Sequence, residues 1–417
     1  MLLTKVSFPT TNIPTAAYIH IPFCRRRCFY CDFPIAVLGD RRRGEASGTI
    51  RQYLAYLCQE IRQTPAWGSP LQTIFFGGGT PSLLSPTQLQ QILTTLDQQF
   101  GISADAEISM EIDPATFDLA QVQGYRAVGV NRVSLGAQAF QAELLTRAGR
   151  SHQVEDIQQA VTTLRQAGFI NISLDLIAGL PGQSLDDWHA SLVQAINLAP
   201  THLSCYDLTI EAGTPFSRQY KPGEAPLPSD EMTAEMYRLA HQLLTEAGYD
   251  HYEISNYAKP GYACQHNQVY WKNQPFYGFG MGATSYLAGN RIARPRQTQA
   301  YYRWVDAKQQ VEVEQLAQQD AITFDTTTDL LDSLMLGLRL KQGIHLAELG
   351  DRFGVTTVEQ IWRCLQPYQR QGWVVLENAE NFPLSGTIRL TQPEGFLFSN
   401  VLLVRLFEVF ETEQILP

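Results

Sequence analysis

The sequence predicts an α/β chain: a partial (βα)6 barrel, then an α+β extension, then a small winged-helix-like domain at the C-terminal end. Three observations predict it. Short β-branched or aromatic runs alternate with helix-period segments through the first half. A proline- and glycine-rich stretch, residues 217–228 (SRQYKPGEAPLP), breaks that alternation. The C-terminal part then runs helices first and a strand pair second. Along the chain the divisions fall at residues 1–215, 216–320 and 321–417.

Strands are predicted to begin near Ala17, Thr73, Glu107, Arg132, Asn171 and His202. Between them, Tyr53, Leu54, Leu57 and Ile61 fall at helical spacing, as do Leu89, Ile92, Leu93 and Leu96. Ser85 and Pro86 open the second of these helices as N-cap and first-turn residues. Six strand–helix units in succession argue a parallel sheet with right-handed crossovers, closed or partly closed into a barrel, with a doubly wound open sheet as the alternative. A helix is predicted over about residues 229–247. Residues 248–300 are dense in Tyr, Asn, Gly and Trp, which suits irregular backbone around a flat ligand or a loop-rich subdomain. From Asp329 the helical pattern returns (DLLDSLMLGLRL, LAELGDRFG, then 358–369), and WVVLENAENFPLSGTIRLT reads as two strands joined by a turn. The last apolar segment, GFLFSNVLLVRLFEVF, is too short to span a bilayer and carries Arg405 and Glu408. It is read as a buried closing helix, with peripheral contact to a membrane-bound recipient as the alternative.

The chain has 417 residues, 44% hydrophobic and 17% charged, enough apolar content for a large core, which excludes disordered and collagen-like classes. It carries 41 acidic and 31 basic side chains, a net charge of −10 that repels polyanions. The winged-helix-like end is therefore read as structural or docking, and no nucleic-acid partner is expected. No run of about 18 uncharged apolar residues occurs, and the first residues lack a signal-peptide pattern, so the expected location is cytoplasmic. Seven cysteines are too few for a disulfide scaffold of this length.

Three of those cysteines, Cys24, Cys28 and Cys31, form C-x3-C-x2-C directly after the first predicted strand. A zinc site usually takes four ligands in pairs, whereas the other cysteines, at 58, 205, 264 and 364, are scattered singly. Three thiolates instead leave one iron of an iron–sulfur cluster open to an outside chelator. Tyr30, just before the last thiol, offers a wall for a flat ligand. Gly77-Gly78-Gly79-Thr80-Pro81 ends the second strand, where glycine lets backbone approach a ligand. Glu111, Gln138, Arg150 and Asp175 lie in or just after later strands, and in a parallel barrel the carboxyl ends of all strands share one face.

On the cysteine loop and the GGGTP strand end, the sequence resembles the radical S-adenosylmethionine (SAM) superfamily, with a radical SAM barrel as the implied fold. The resemblance implies a [4Fe-4S] cluster on Cys24, Cys28 and Cys31, with SAM on the open iron and an electron donor as partner. By similarity, Tyr18, Tyr30, Gly78, Gly79, Thr80, Glu111, Gln138, Arg150 and Asp175 would contact SAM. Most of the chain is covered, and the porphyrin-linked branch is nearest: oxygen-independent coproporphyrinogen III dehydrogenases and HemW-type haem chaperones. The dehydrogenase motif has a further cysteine two residues after the third; here that position is Phe33. His266-Asn267-Gln268-Val269-Tyr270-Trp271 matches the HNxxYW motif of the haem chaperones. It implies His266 as a haem ligand, with Asn267, Tyr270 and Trp271 around the macrocycle and Cys264 as the alternative ligand. Arg25, Arg26 and Arg27 are candidates to meet haem propionates or to offset cluster charge; Arg41, Arg42 and Arg43 are candidates for propionates or a solvated loop. The expectation is a haem chaperone with [4Fe-4S], SAM and haem as cofactors, delivering haem to respiratory haem proteins without coproporphyrinogen dehydrogenase activity. Its rivals are radical decarboxylation of coproporphyrinogen III and radical modification of tRNA.

Overall fold

The computed structural model describes residues 13–39, 44–308, 321–323 and 326–412. The chain forms two compact units. The first takes the chain up to Leu176 together with Leu208–Pro222 and Gln274–Thr323; the second takes Ile177–Asp207, Gly223–Asn273 and the chain from Phe324. The stretch 216–320 therefore contributes to both.

In the first unit, β1 (Ala16–Ile21), β2 (Leu71–Gly78), β3 (Ile102–Ile112), β4 (Arg132–Gln138) and β5 (Asn171–Ala178) lie side by side in chain order, all parallel. Each crossover thus carries the chain the same way across the sheet. A doubly wound sheet reverses direction partway, so that alternative is excluded. Among the described residues no strand joins the two edges of the sheet, and the barrel is partial. The strands are buried along most of their length, as parallel strands covered on both faces must be; in β1 only Tyr18 is partly exposed. Two of the covering helices form as their sequences dictate. α1 (Gly48–Gln63) starts on Ser47, whose side chain accepts from the Ile50 amide, and buries Ile50, Tyr53, Leu54, Leu57 and Ile61. α2 (Pro86–Phe100) starts with a capping box between Ser85 and Gln88 and buries Leu89, Ile92, Leu93 and Leu96.

The Tyr- and Gly-rich segment contributes one strand that periodicity does not predict. Tyr277–Phe279 pairs parallel with β1, Ala17 opposite Tyr277. Thr284–Leu287, Asn290–Ala293 and Ala321–Thr323 form a small antiparallel sheet after it. A buried carboxylate fixes this segment to α1. Glu60 accepts from the Gly280 amide at 2.9 Å, Arg294 Nε at 2.8 Å and Tyr301 Oη at 2.7 Å. Both charged side chains of the pair are almost wholly buried.

In the second unit, the helix Leu185–Asn197 packs on the helix Asp230–Glu246, where Trp188 Nε1 donates to Met236 O at 2.9 Å. His202–Asp207, the last predicted barrel strand, pairs antiparallel with Asn256–Ala258, which pairs antiparallel with Asp250–Glu253. Helices Thr326–Gly337, Leu346–Phe353 and Val355–Arg370 precede the antiparallel strands Val374–Glu377 and Thr387–Leu390, with Ile344–His345 on the other side of the latter. This is the expected winged-helix-like order. Its core includes Leu334, Ile361, Leu365, Phe396, Leu402 and Leu406. The last helix, Ser399–Thr412, buries Leu402, Leu406 and Phe410 along one stripe and leaves Val401 and Val404 exposed. Among the described residues no helix is long and apolar enough to cross a membrane.

Removing one partner of a buried ion pair leaves an uncompensated charge in the interior. Glu60→Ala should lower the unfolding free energy by about 3–5 kcal/mol, read from denaturant-unfolding midpoints. A loss below about 1 kcal/mol would show that Arg294 is satisfied without Glu60.

Candidate functional site

The cysteine loop leaves the end of β1 and is held by the glycine end of β2. The Gly79 amide donates to Ile21 O at 2.8 Å and the Thr80 amide to Phe23 O at 2.7 Å. A Cβ on Gly79 would lie 2.8–2.9 Å from Phe23 O, Ile21 O and Pro22 C; one on Gly78, whose φ is 111°, would meet the His20 ring at 2.4 Å. Glycine here lets one strand end lie against another. Thr80 Oγ1 donates to Cys24 Sγ at 3.6 Å. On the far side of the loop, the Phe29 amide donates to Ala148 O, and Phe29 O accepts from the Phe216 amide, both at 3.0 Å. Arg27 Nη1 donates to Cys31 O at 3.0 Å and Phe33 O at 3.2 Å, so this arginine ties the loop's own backbone. Burial pushes the Cys24 thiol up to about 12 and raises that of Cys31.

The remaining strand ends converge on the same place. Glu111 Oε2 accepts from the Gly78 amide at 3.0 Å. Burial first, and the carboxylate of Asp175 second, push the Glu111 carboxyl up to about 7. Asp175 accepts from Ser134 Oγ at 2.9 and 3.0 Å. Arg150 donates through Nη1 to Cys28 Sγ at 3.4 Å and through Nη2 to Asp113 at 2.5 Å and Gly136 O at 3.0 Å. Burial, the largest single influence, would raise the Asp113 carboxyl, but the Arg150 guanidinium, the hydrogen bond with His152 and the charge of Arg25 together outweigh it and hold the group below the usual range. Gln138 sits at φ 68°, where the β4–β5 register slips, and its Nε2 lies 2.9 Å from where a Cβ on Gly136 would be. Tyr18 Oη lies 3.1 Å from His20 Nδ1, and His20 Nε2 lies 2.9 Å from Pro34 O. Burial lowers His20 to about 4, so the ring is neutral near pH 7. With a carbonyl facing Nε2, the proton sits on Nε2 and Nδ1 accepts from the Tyr18 hydroxyl. Tyr30 packs near Phe216, ring centroids 6.4 Å apart, and burial raises its hydroxyl well above its usual value.

The residues named from the sequence around the cysteines are thus linked through the ends of the parallel strands. Asp113, His152 and His20 were not among them. Asp113 anchors Arg150, and buried His152 lies behind it, Nδ1 3.7 Å from Asp113 Oδ1 and Nε2 3.2 Å from Ala137 O. The signal was period two: Glu111 and Asp113, like Tyr18 and His20, are two residues apart at a strand end.

The HNxxYW residues lie in the second unit, on the helix Gln265–Trp271, with Cys264 as its N-cap. His266 is fully buried, its Nε2 hydrogen-bonded to Tyr270 Oη at 2.8 Å, a pairing the four-residue spacing dictates. Asn267, Tyr270 and Trp271 are partly buried, and the Arg339 guanidinium lies 4.4 Å from the Trp271 ring centroid. Cys264 is buried and its amide donates to Tyr252 Oη at 3.3 Å. Of the arginines considered for propionates, Arg26 is exposed in the cysteine loop, and Arg41, Arg42 and Arg43 lie outside the described residues. Phe33 is 50% exposed.

The raised Glu111 carboxyl predicts a pH-dependent stability. The native state holds this proton more tightly than the unfolded chain, so stability present below the unfolded value of 4.5 is lost as pH rises through about 7. The loss amounts to up to about 3 kcal/mol. Glu111→Gln, which does not ionise, should be more stable than the parent by up to that amount at pH 8, with the difference shrinking towards pH 5. Urea unfolding at the two pH values checks it; an equal difference at both would contradict the assignment.

A profile of the radical SAM superfamily matches residues 18–194, and one of the HemN C-terminal domain matches residues 324–381. The chain is 46% identical over 413 residues to the heme chaperone HemW of Synechocystis sp., spanning 97% of this chain and 99% of that protein. It is 41% identical over 291 residues to the heme chaperone HemW of Escherichia coli, 68% of this chain and 74% of that one. Among solved structures, coproporphyrinogen III oxidase HemN of Escherichia coli matches with a TM-score of 0.77 at 24% identity, over 95% of this chain and 90% of that one, a likeness of fold. Nearly half of all positions identical from end to end, together with the cysteine loop, the glycine strand end and the HNxxYW helix, establish that the chain belongs to the HemW family of the radical SAM superfamily.

Proposed function

We propose that this chain is a haem carrier that binds haem at the HNxxYW helix and a [4Fe-4S] cluster with SAM at the cysteine loop, and passes haem to respiratory haem proteins in the cytoplasm. The observation that carries the reading is the helix Gln265–Trp271, which sets an imidazole and a phenol four residues apart in a chain whose relatives are named heme chaperones.

The residues at the cysteine loop fit the cluster. Three thiols come from one loop, and two of their sulfurs already accept hydrogen bonds, from Thr80 and Arg150. When bound, the cluster and SAM supply one-electron reductive chemistry. The chain's own residues bind and orient. Gly78 and Gly79 leave backbone open to close approach, and Glu111 and Asp175 present carboxylates suited to ammonium and hydroxyl groups of SAM. Arg150 offsets thiolate charge at Cys28, and Tyr30 walls the site. An electron donor is the implied partner here.

At the helix Gln265–Trp271, His266 would hold the haem iron, with Tyr270 Oη, which holds the ring through Nε2, released from that bond. Coproporphyrinogen III decarboxylation is the competing reading, favoured by the HemN-like fold. Phe33, where the dehydrogenase motif has a thiol, counts against it.

Titration with haem followed by visible absorbance tests the site. His266→Ala should bind at least about tenfold more weakly and with a changed Soret band, and Tyr270→Phe about fivefold more tightly, since no hydroxyl competes for Nε2. An unchanged spectrum and affinity in His266→Ala would remove the ligand assignment. Anaerobic incubation of the reduced, cluster-loaded, SAM-binding protein with coproporphyrinogen III should yield no decarboxylated product above background. Turnover near that of a dehydrogenase control would replace the carrier reading with the enzymatic one.

A further inference from the structure

We propose that Arg339 and the indole N–H of Trp271 form a carboxylate-binding pair that takes a haem propionate. The proposal rests on the reading of the HNxxYW helix as the haem site.

Arg339 follows the helix Thr326–Gly337, and its guanidinium lies over the Trp271 ring, 4.4 Å from the centroid. One edge is fixed: Nη2 donates to Glu253 Oε2 at 3.1 Å. Glu253 is fully buried and also accepts from the Ser255 amide at 3.0 Å and from Asn256 Nδ2. Another donor of the guanidinium is not used. Arg339 Nε is buried and has no acceptor among the described residues, and the same holds for Trp271 Nε1.

Buried N–H groups without acceptors are few in native proteins, and each calls for an account. Here two occur on side chains in direct contact, one of them cationic. Both are donors, which excludes a metal ion and calls for an acceptor, and the cation favours an anion. A carboxylate has two oxygens able to accept from two N–H groups at once. The propionates are the peripheral anionic groups of haem, and an arginine held on one edge by Glu253 is preorganised to meet one of them. A purely structural stack would account for the Glu253 contact and the covered ring face. It would not account for two buried donors left unsatisfied on side chains in contact.

The test uses the full chain with two probes, ferric protoporphyrin IX and its dimethyl ester, which lacks carboxylates. Arg339→Gln should weaken haem binding about tenfold or more while leaving the ester within about twofold of the parent. Wild-type affinity for haem in this variant, or an equal loss for both probes, would overturn the proposal. His266→Ala separates the two readings. If it weakens both probes, the haem site stands however Arg339 behaves; if it weakens neither, the haem-site reading itself fails. Should Arg339→Gln not fold, as judged by circular dichroism, Trp271→Phe leaves the Glu253–Arg339 pair intact and is read by the same criterion.

Discussion

Two backbone hydrogen bonds, from the Gly79 amide to Ile21 O and from the Thr80 amide to Phe23 O, join the end of β2 to the start of the cysteine loop. They form only because no side chain stands between the strands at Gly78 and Gly79. From that contact follow the position of Cys24 under Thr80, the seat of His20 beneath Gly78, and the reach of the Gly78 amide to Glu111. Parallel pairing supplies the rest, since each neighbouring strand ends at the same edge and adds its own polar side chain there.

Buried acids differ in how their charge is met. Glu60 is matched by Arg294, Asp113 by Arg150 and Glu253 by Arg339. Each of these carboxylates has a guanidinium beside it, the arrangement that makes a buried charge tolerable. Glu111 instead accepts a backbone amide and faces Asp175, and its carboxyl is pushed up towards neutral pH. A ligand bringing positive charge to this edge would stabilise the ionised form, so binding and protonation at Glu111 are linked. In a chain with a net charge of −10, such local accounting decides more than the overall balance.

The cluster loop and the strand ends were legible because their residues sit at fixed short spacings: C-x3-C-x2-C, GGGTP, and polar residues closing apolar runs. The helix Gln265–Trp271 was legible as a motif, although the segment around it read as irregular. Its neighbour Tyr277–Phe279 is three residues long and borders β1 in the sheet, too short for any period to announce it. Glu60 was missed for a different reason. On an amphipathic helix a glutamate reads as solvent-facing, and only the fold brings Arg294, 234 residues away, against it.

The sequence by itself determined the α/β class, the places of the main strands along the chain, the cysteine loop and the four-residue spacing of His266 and Tyr270, because each depends on covalent spacing within a single element or loop. Tertiary structure decided that the strands lie in chain order without the reversal of a doubly wound sheet, that Asp113 orients Arg150 onto Cys28, that Glu60 anchors the segment after Gln274, and that Arg339 covers Trp271. Those contacts join residues tens to hundreds of positions apart, and their energies come from burial and from pairing of charge in the interior, neither of which has a local pattern in the chain.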